Sequence, residues 1–413
     1  MLISPFRGLR PSPELASRIP SYPYDILDSD EARALAAGDP YTFLHVEKPE
    51  IDLDPAIDLY DDRVYARGRE NLHAMVDSGW LVQDETPSYY VYRLSRDGHI
   101  QTGIAGVAAV EDYVSDKIKK HEHTRPEKEN DRTRHIDTLS AHAGPILMAY
   151  RGIPELNAIV NGIADGAPDV DFVAGDGIGH TLWAVSDPVA CRSIQALFAR
   201  IPATYVADGH HRAAAAARVA KRRREANPEH TGDEGYNLFL AVHFPAHQLK
   251  ILGYHRLVRD LNGLDPGAFL DRVSRCGFEV RDRHRGRRPP HRGSYGMYLA
   301  REGWLLLSPG AELAPSADPV GSLDVSVLSR HILEPILGIG DARTDRRIDF
   351  AGGSKPLEEL ERRVDEGESA VAFTLYPPDM EDVMKVADAG RVMPPKSTWF
   401  EPKLRSGMVV HLF

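Results

Sequence analysis

Thr204-Tyr205-Val206-Ala207-Asp208-Gly209-His210-His211-Arg212 is the stretch on which the fold turns. A β-prone run ends in Asp-Gly and gives way at once to an Ala-rich segment, His211 to about Glu225. There Ala213, Ala216, Ala217 and Ala220 recur at helical spacing. The pattern predicts a strand, a tight turn at Gly209 and a helix whose small face sits close on a sheet. Glycine allows the turn a positive φ or a close backbone approach. The unpaired N–H groups of the first helical turn, with the positive end of the helix dipole, suit an anion. Arg212 adds a bidentate phosphate donor on that turn. Asp208 alone would read as a helix cap, but two histidines and an arginine crowded into one turn favour function.

Outward from this junction, helices and short strands interleave without the regular alternation of a doubly wound sheet, so the fold class is α+β. Strands are expected at Met1–Phe6, Tyr41–Val46, Ser88–Leu94, Gln101–Val110, Ile146–Tyr150, Asp171–Val173, Thr181–Val185 and Leu238–Phe244, and again at Met408–Phe413. Arg96-Asp97-Gly98, between apolar runs, marks a hairpin. Helices are expected over Ser29–Ala37, Val64–Gly79 and from Thr124 to before Gly144, the last opened by the capping-box pattern Thr124-Arg125-Pro126-Glu127. Gly175, Gly177 and Gly179 mimic a dinucleotide fingerprint, but the residues after them continue as a strand, and a hairpin turn is the better reading.

The composition is globular: 42% hydrophobic and 27% charged residues, with a formal charge of −11. That balance argues against nucleic acid as the main partner, because duplex binding needs a broad basic surface. Cys191 and Cys276 form no CxxC pair, which fits a reducing compartment and excludes a zinc ribbon. Met1 to Arg7 carries no apolar h-region and no stretch reaches the apolar length of a membrane span, so a cytoplasmic protein is expected. At 413 residues two or three substructures are expected. They are drawn as a core over 1–260 with an insertion at about 50–200, an accessory α/β segment over 261–340, and a C-terminal segment, 341–413, returning to the core. Arg281 to Arg292 is basic and reads as a loop.

Three further motifs carry candidate chemistry. His121-Glu122-His123-Thr124-Arg125 leads into a helix on which Lys128, Arg132 and His135 share a stripe; the alternative is a solvated face laced with ion pairs. No HxxxH or HExxH spacing places two imidazoles on one helix face, so a histidine-only metal centre is not expected. Asp25 and Glu31 stand six residues apart across a Pro-bounded loop entering a helix, where a carboxylate can act as general base or orient one. Gly352-Gly353-Ser354-Lys355 and Pro394-Pro395-Lys396-Ser397 could clamp phosphate or be surface loops. No Walker A, protein-kinase or G-x-S-x-G signature is present.

Tyr22–Leu27 (YPYDIL), His121–Arg132 (HEHTRPEKENDR), Asp208–Arg212 (DGHHR) and Pro394–Lys403 (PPKSTWFEPK) resemble, across nearly the whole chain, a bacterial and archaeal family listed only as a domain of unknown function. More locally, DGHHR is similar to the phosphate loop of the ParB/sulfiredoxin-like fold, whose members include free-serine kinases. That resemblance implies a mixed-sheet core with large insertions and a C-terminal α/β extension. It implies a phosphotransferase that moves phosphate from pyrophosphate or a nucleotide to the hydroxyl of free L-serine, with Mg²⁺. By the same resemblance Asp25 is the base, where the family has Glu, with Glu31 as the second carboxylate and Asp208 touching substrate or metal. Gly209, His210, His211 and Arg212 hold the phosphates, joined by His121, Arg125, Arg132, Lys355, Lys396 and Ser397. The long segment before DGHHR, which contains the His121–Arg132 motif, makes pyrophosphate as eligible a donor as a nucleotide. The alternatives are a nucleotide-responsive ParB-like binding or switch protein and, lower in order, a metal-dependent hydrolase using His121, His123, His210 and Asp208. The donor, acceptor and oligomeric state stay open at this stage.

Overall fold

The computed structural model describes residues 1–281, 287–310, 313 and 316–413. Of the basic segment Arg281–Arg292, residues 282–286 lie outside the described residues. The chain forms two compact units, Met1–Leu249 joined by Pro402–Phe413, and Lys250–Glu401. These limits differ from the boundaries expected near 260 and 340. The reason is local pairing: Lys250–Leu252 lies antiparallel to Trp399–Glu401, so the second unit is closed by a ribbon at its own two ends.

Among the described residues the first unit contains a nine-stranded mixed sheet. Its order is Ile118–Lys119, Thr204–Asp208, Ile146–Tyr150, Leu238–Pro245, His99–Ala109, Tyr89–Arg96, Gly179–Val185 and Val170–Val173, with Ile3–Ser4 also on His99–Ala109. Two pairings are parallel, Thr204–Tyr205 with Ile118–Lys119 and Leu238–Pro245 with Ile146–Tyr150; the rest are antiparallel. Asp97 and Gly98 both adopt positive φ between Arg96 and His99, as a two-residue type I′ hairpin requires. The Ala174–Ile178 turn is likewise a hairpin, with Gly177 donating its N–H to the Ala174 carbonyl.

The strand–helix junction forms as the sequence suggests. Thr204–Asp208 is a strand and His210–Ala226 a helix. Ala213, Ala216 and Ala220 pack on Ile146, Met148, Val206, Phe239 and Ala241 of the sheet, and methyl groups at these positions let the helix approach closely. On its other side Ala215 and Val219 meet Ile136 of the helix Pro126–Leu139. Arg218 and Arg223 pair with Glu129 and Asp137 across the same two helices. The segment bearing His121 and Arg125 is thereby held against the helix that carries the DGHHR turn.

Two expectations fail. Tyr41–Val46 is not a strand; Leu44–Glu47 is a short helix, because Phe43 and Val46, three residues apart, both point into a core with Ile19, Leu72 and Leu139. The capping box at Thr124 is also absent. Proline at position 126 starts the helix one residue later than the pattern implied, which leaves Arg125 at the N-cap without a side-chain cap, while Thr124 Oγ1 donates to Glu129. The capping box that does form is Asp28 with Glu31, at the start of Ser29–Ala36.

Among the described residues the second unit contains a six-stranded antiparallel sheet in the order Phe278–Arg281, Gly303–Pro309, Tyr295–Leu299, Val371–Leu375, Tyr254–Val258 and Ile348–Gly352. Leu357, Leu360 and Val364, one face of the helix Leu357–Asp365, pack on Leu257, Ala351 and Ala372. Among the described residues no helix is long and apolar enough to cross a membrane.

Candidate phosphoanion site

The junction is built by a defect in the sheet. Thr204, Tyr205 and Val206 pair in register with Tyr150, Ala149 and Met148, but Leu147 then faces Asp208, so Ala207 is bulged out. A bulge bends the strand and re-aims the side chains beyond it, and here it delivers Asp208 at the strand's end. Gly209 follows at φ +101 and ψ 30, a conformation that L side chains rarely adopt. The helix begins at His210 with no side-chain cap. Its first backbone N–H groups are therefore not claimed by a capping residue, and the dipole's positive end lies on the turn.

Asp208 Oδ2 lies 3.3 Å from Lys403 Nζ and 3.8 Å from Arg212 Nη2. Partial burial pushes its carboxyl up, but Lys403 and Arg212 outweigh that and hold it below the usual carboxylate range. Lys403 comes from Pro402–Phe413, the segment that returns to the first unit. This pairing answers the magnesium expectation. Magnesium wants oxygen donors, whereas Asp208 is matched by two cations and its next titratable neighbour is the His121 imidazole. The residues around Asp208 do not fit a magnesium ion held by the protein.

The side chains of the turn serve the fold through one edge and face the site with the other. His210 Nε2 accepts the His121 N–H at 3.4 Å, and His211 Nε2 accepts the Arg125 N–H at 3.1 Å. A neutral imidazole that accepts through Nε2 carries its proton on Nδ1, so each retains one donor. Burial, with His121 and His211 nearby, holds His210 well below its ordinary pKa. Burial and Arg125 lower His211 as well, while Asp25 and Glu129 pull it back. Arg212 donates from Nη1 to the Pro145 carbonyl at 2.5 Å, and its buried Nε has no partner. Gly144 makes room for this arginine: a Cβ there would lie 2.9 Å from Glu47 Oε1 and 3.1 Å from Arg212 Nη1.

The remaining candidates divide. Arg132 is buried and engaged by Asp131 at 2.9 Å and Glu47 at 3.5 Å, with its guanidinium 4.0 Å from the centre of the Tyr24 ring. Burial raises the Tyr24 phenol, with Asp25 pushing the same way, which places the Tyr22–Leu27 loop against these arginines. Asp25 is exposed at that loop, near His211. Arg125 is exposed at the helix N-cap. Glu31 accepts the Asp28 N–H at 2.9 Å and so works as a helix cap. His121 is buried and lowered by that burial to about 4, and its ring makes no well-formed hydrogen bond, the Val206 backbone offering only a loose contact. In the second unit, described by itself, Lys355 and Lys396 are exposed, and the Ser397 hydroxyl donates to the Pro394 carbonyl at 2.6 Å.

Sequence reasoning quoted Lys403 within a motif but had no means of setting it on Asp208. It also missed Tyr24, Glu47, Pro145 and Arg405. Arg405 Nη2 donates to Asp176 at 2.5 Å, and its guanidinium lies 3.8 Å from the Tyr22 ring centre. Tyr22 in turn donates to Asp176 at 2.8 Å. The returning segment thus anchors the Tyr22–Leu27 loop as well as Asp208. The advance signals were the quoted motifs Tyr22–Leu27 and Pro394–Lys403, which contain Tyr24 and Lys403.

A family model described as "Protein of unknown function (DUF1015)" matches residues 3–326. No curated protein matches. Among solved structures, a conserved hypothetical protein from Pyrococcus furiosus is 14% identical, with 73% of this chain and 92% of that chain covered and a TM-score of 0.34. A free serine kinase in complex with AMP is 13% identical over 74% and 92%, at a TM-score of 0.32. SbnI with a C-terminal truncation, from Staphylococcus aureus, is 12% identical over 75% and 87%, at a TM-score of 0.37. These are loose likenesses.

Proposed function

This chain belongs to the DUF1015 family of proteins of unknown function, and from that premise we propose that it is a small-molecule phosphotransferase whose donor phosphates bind at the Asp208–Arg212 turn. The observation that carries the reading is the uncapped start of the helix His210–Ala226 after Gly209 at φ +101. It stands beside an unpartnered buried Arg212 Nε and a buried His121 ring with no well-formed hydrogen bond. Main-chain N–H groups, a helix dipole and guanidinium donors together favour a phosphate oxyanion over a carboxylate, because a phosphate offers more oxygens and more charge.

The acceptor and the base come from the motif resemblance, with a ParB/sulfiredoxin-like core as the finer fold assignment. Free L-serine is the acceptor, and pyrophosphate or a nucleotide is the donor. The serine hydroxyl oxygen attacks the terminal phosphorus, the bridging P–O bond breaks, and phosphate or the shortened nucleotide leaves. The hydroxyl proton passes to the Asp25 carboxylate, which the loop presents to solvent near His211. Such chemistry needs positioning and charge neutralisation more than covalent help. Arg125 and the first turn of the helix supply positive potential on the donor side, while Lys403 and Arg212 keep Asp208 ionised.

The test is turnover. Protein incubated with L-serine and pyrophosphate, ADP or ATP, in buffers containing divalent cations, is followed by phosphorus NMR. Phosphoserine appearing in step with the cleaved donor supports the reading. Intact donor in every mixture, or donor hydrolysis without phosphoserine, contradicts it.

A further inference from the structure

His121 is 1% exposed, yet neither ring nitrogen makes a well-formed hydrogen bond, the Val206 backbone offering only a loose contact. A buried polar group left unmet costs about 1–3 kcal/mol, and native folds rarely leave one without a reason. Three features surround this imidazole. The His210 ring stands perpendicular to it, with centroids 4.4 Å apart. A carboxylate oxygen of Glu122 lies 3.8 Å from His210 Nδ1. One ligand atom from each of His121, Glu122 and His210 lies within 4.8 Å of the other two.

The geometry points to a transition-metal site formed by His121, Glu122 and His210, suited to a borderline divalent ion such as zinc and poorly suited to oxygen-seeking magnesium. Two imidazoles and one carboxylate on one side of an ion leave open positions for a ligand, and imidazole nitrogen selects this class of metal over oxygen-seeking ions. Metal–ligand bonds of about 2.0–2.2 Å set neighbouring donor atoms roughly 3.3 Å apart, so the three groups need to close by an ångström or so. Burial keeps both histidines neutral, the form that binds metal. Coordination through either nitrogen of His210 gives up the 3.4 Å bond from the His121 amide. The sequence offered His121 and His210 as metal candidates only together with His123 and Asp208; Glu122 was not among them, and only the fold brings these three ligand atoms together. An ion here would sit beside the first turn of the helix and could offer its open positions to a phosphate oxygen; that role rests on the phosphotransferase reading, whereas the metal site does not.

The test uses the full chain stripped with a chelator and titrated calorimetrically with zinc and with magnesium separately. One equivalent of zinc should bind, with magnesium binding far more weakly. His121→Ala should weaken binding at least tenfold, a loss of about 1.4 kcal/mol. His121→Gln keeps a polar side chain of similar size, so it reports on the metal even if the alanine variant unfolds. Cobalt substitution should give visible d–d bands in the wild type and none in either variant. Absence of stoichiometric zinc binding, or binding unchanged in folded His121→Gln, would overturn the proposal. Pyrophosphate titrated into metal-free protein separates the two readings: pyrophosphate binding without zinc binding sinks the metal site and leaves the phosphotransferase standing.

Discussion

Replacing Gly209 by alanine strains the turn that everything else depends on. An L-residue held in a left-handed conformation costs about 1–3 kcal/mol, and φ +101 lies beyond the small region where other residues are comfortable. The added Cβ would lie 3.1 Å from Arg212 Nε and 3.2 Å from Nη2. The guanidinium must then yield by a few tenths of an ångström, against its bond to the Pro145 carbonyl and its approach to Asp208. For a domain of this size each kcal/mol lowers the midpoint by about 2–4 °C, so calorimetry should find a fall of roughly 2–12 °C. Pyrophosphate affinity, measured by isothermal titration, should drop at least tenfold, or about 1.4 kcal/mol, because the first N–H groups of the helix no longer converge. Gly98→Ala is the control. Gly98 also has positive φ, at +77, but a Cβ there meets no atom within 4 Å. It should lower the midpoint and leave pyrophosphate affinity alone. Wild-type stability and affinity in Gly209→Ala would refute the reasoning.

Asp25→Asn removes the basic oxygen while keeping the shape, so turnover should fall by about 10²–10⁴ with donor affinity nearly unchanged; steady-state kinetics beside donor titrations check this. Lys403→Met takes from Asp208 its nearest cation. Because Asp208 titrates below its ordinary value, its pairing contributes at neutral pH and is lost as pH falls through the carboxylate range, so the variant should lose more stability at pH 7 than at pH 3. Burial lowers His121, His243 and His411 to about 4 and His180 to about 3. The folded state thus resists protonation that the unfolded chain accepts below about 6.5. Stability should fall progressively from that pH downward, by about 2 kcal/mol per such group at pH 5, as urea midpoints across pH 4–7 would show. A flat profile there would contradict neutral burial of these rings.

What the sequence made legible was local. The strand, Gly209 and the Ala-rich helix follow from periodicity and turn chemistry over a few residues, and so does the Asp97-Gly98 hairpin. What it hid depended on distance along the chain. Lys403 reaches Asp208 across 195 residues, and no spacing rule anticipates such a contact. The bulge at Ala207 is equally silent, since it exists only as a mismatch with Met148 and Leu147 on the neighbouring strand. Tyr41–Val46 misled because a short apolar run reads alike as strand or buried helix, and tertiary packing around Phe43 and Val46 decided it. The Thr124 capping box misled for a stereochemical reason, as proline at 126 fixed the first helical position. Arg132, read as a phosphate ligand, lies buried against Asp131, Glu47 and Tyr24, and the last two sit far from it in the chain.

The most direct test of the central claim is a crystal structure of the protein grown with pyrophosphate. The account predicts phosphate oxygens within hydrogen-bonding distance of the main-chain N–H groups that follow Gly209, with the second phosphoryl group toward Arg125. Pyrophosphate seated elsewhere, with the turn at Gly209 bare, would contradict it.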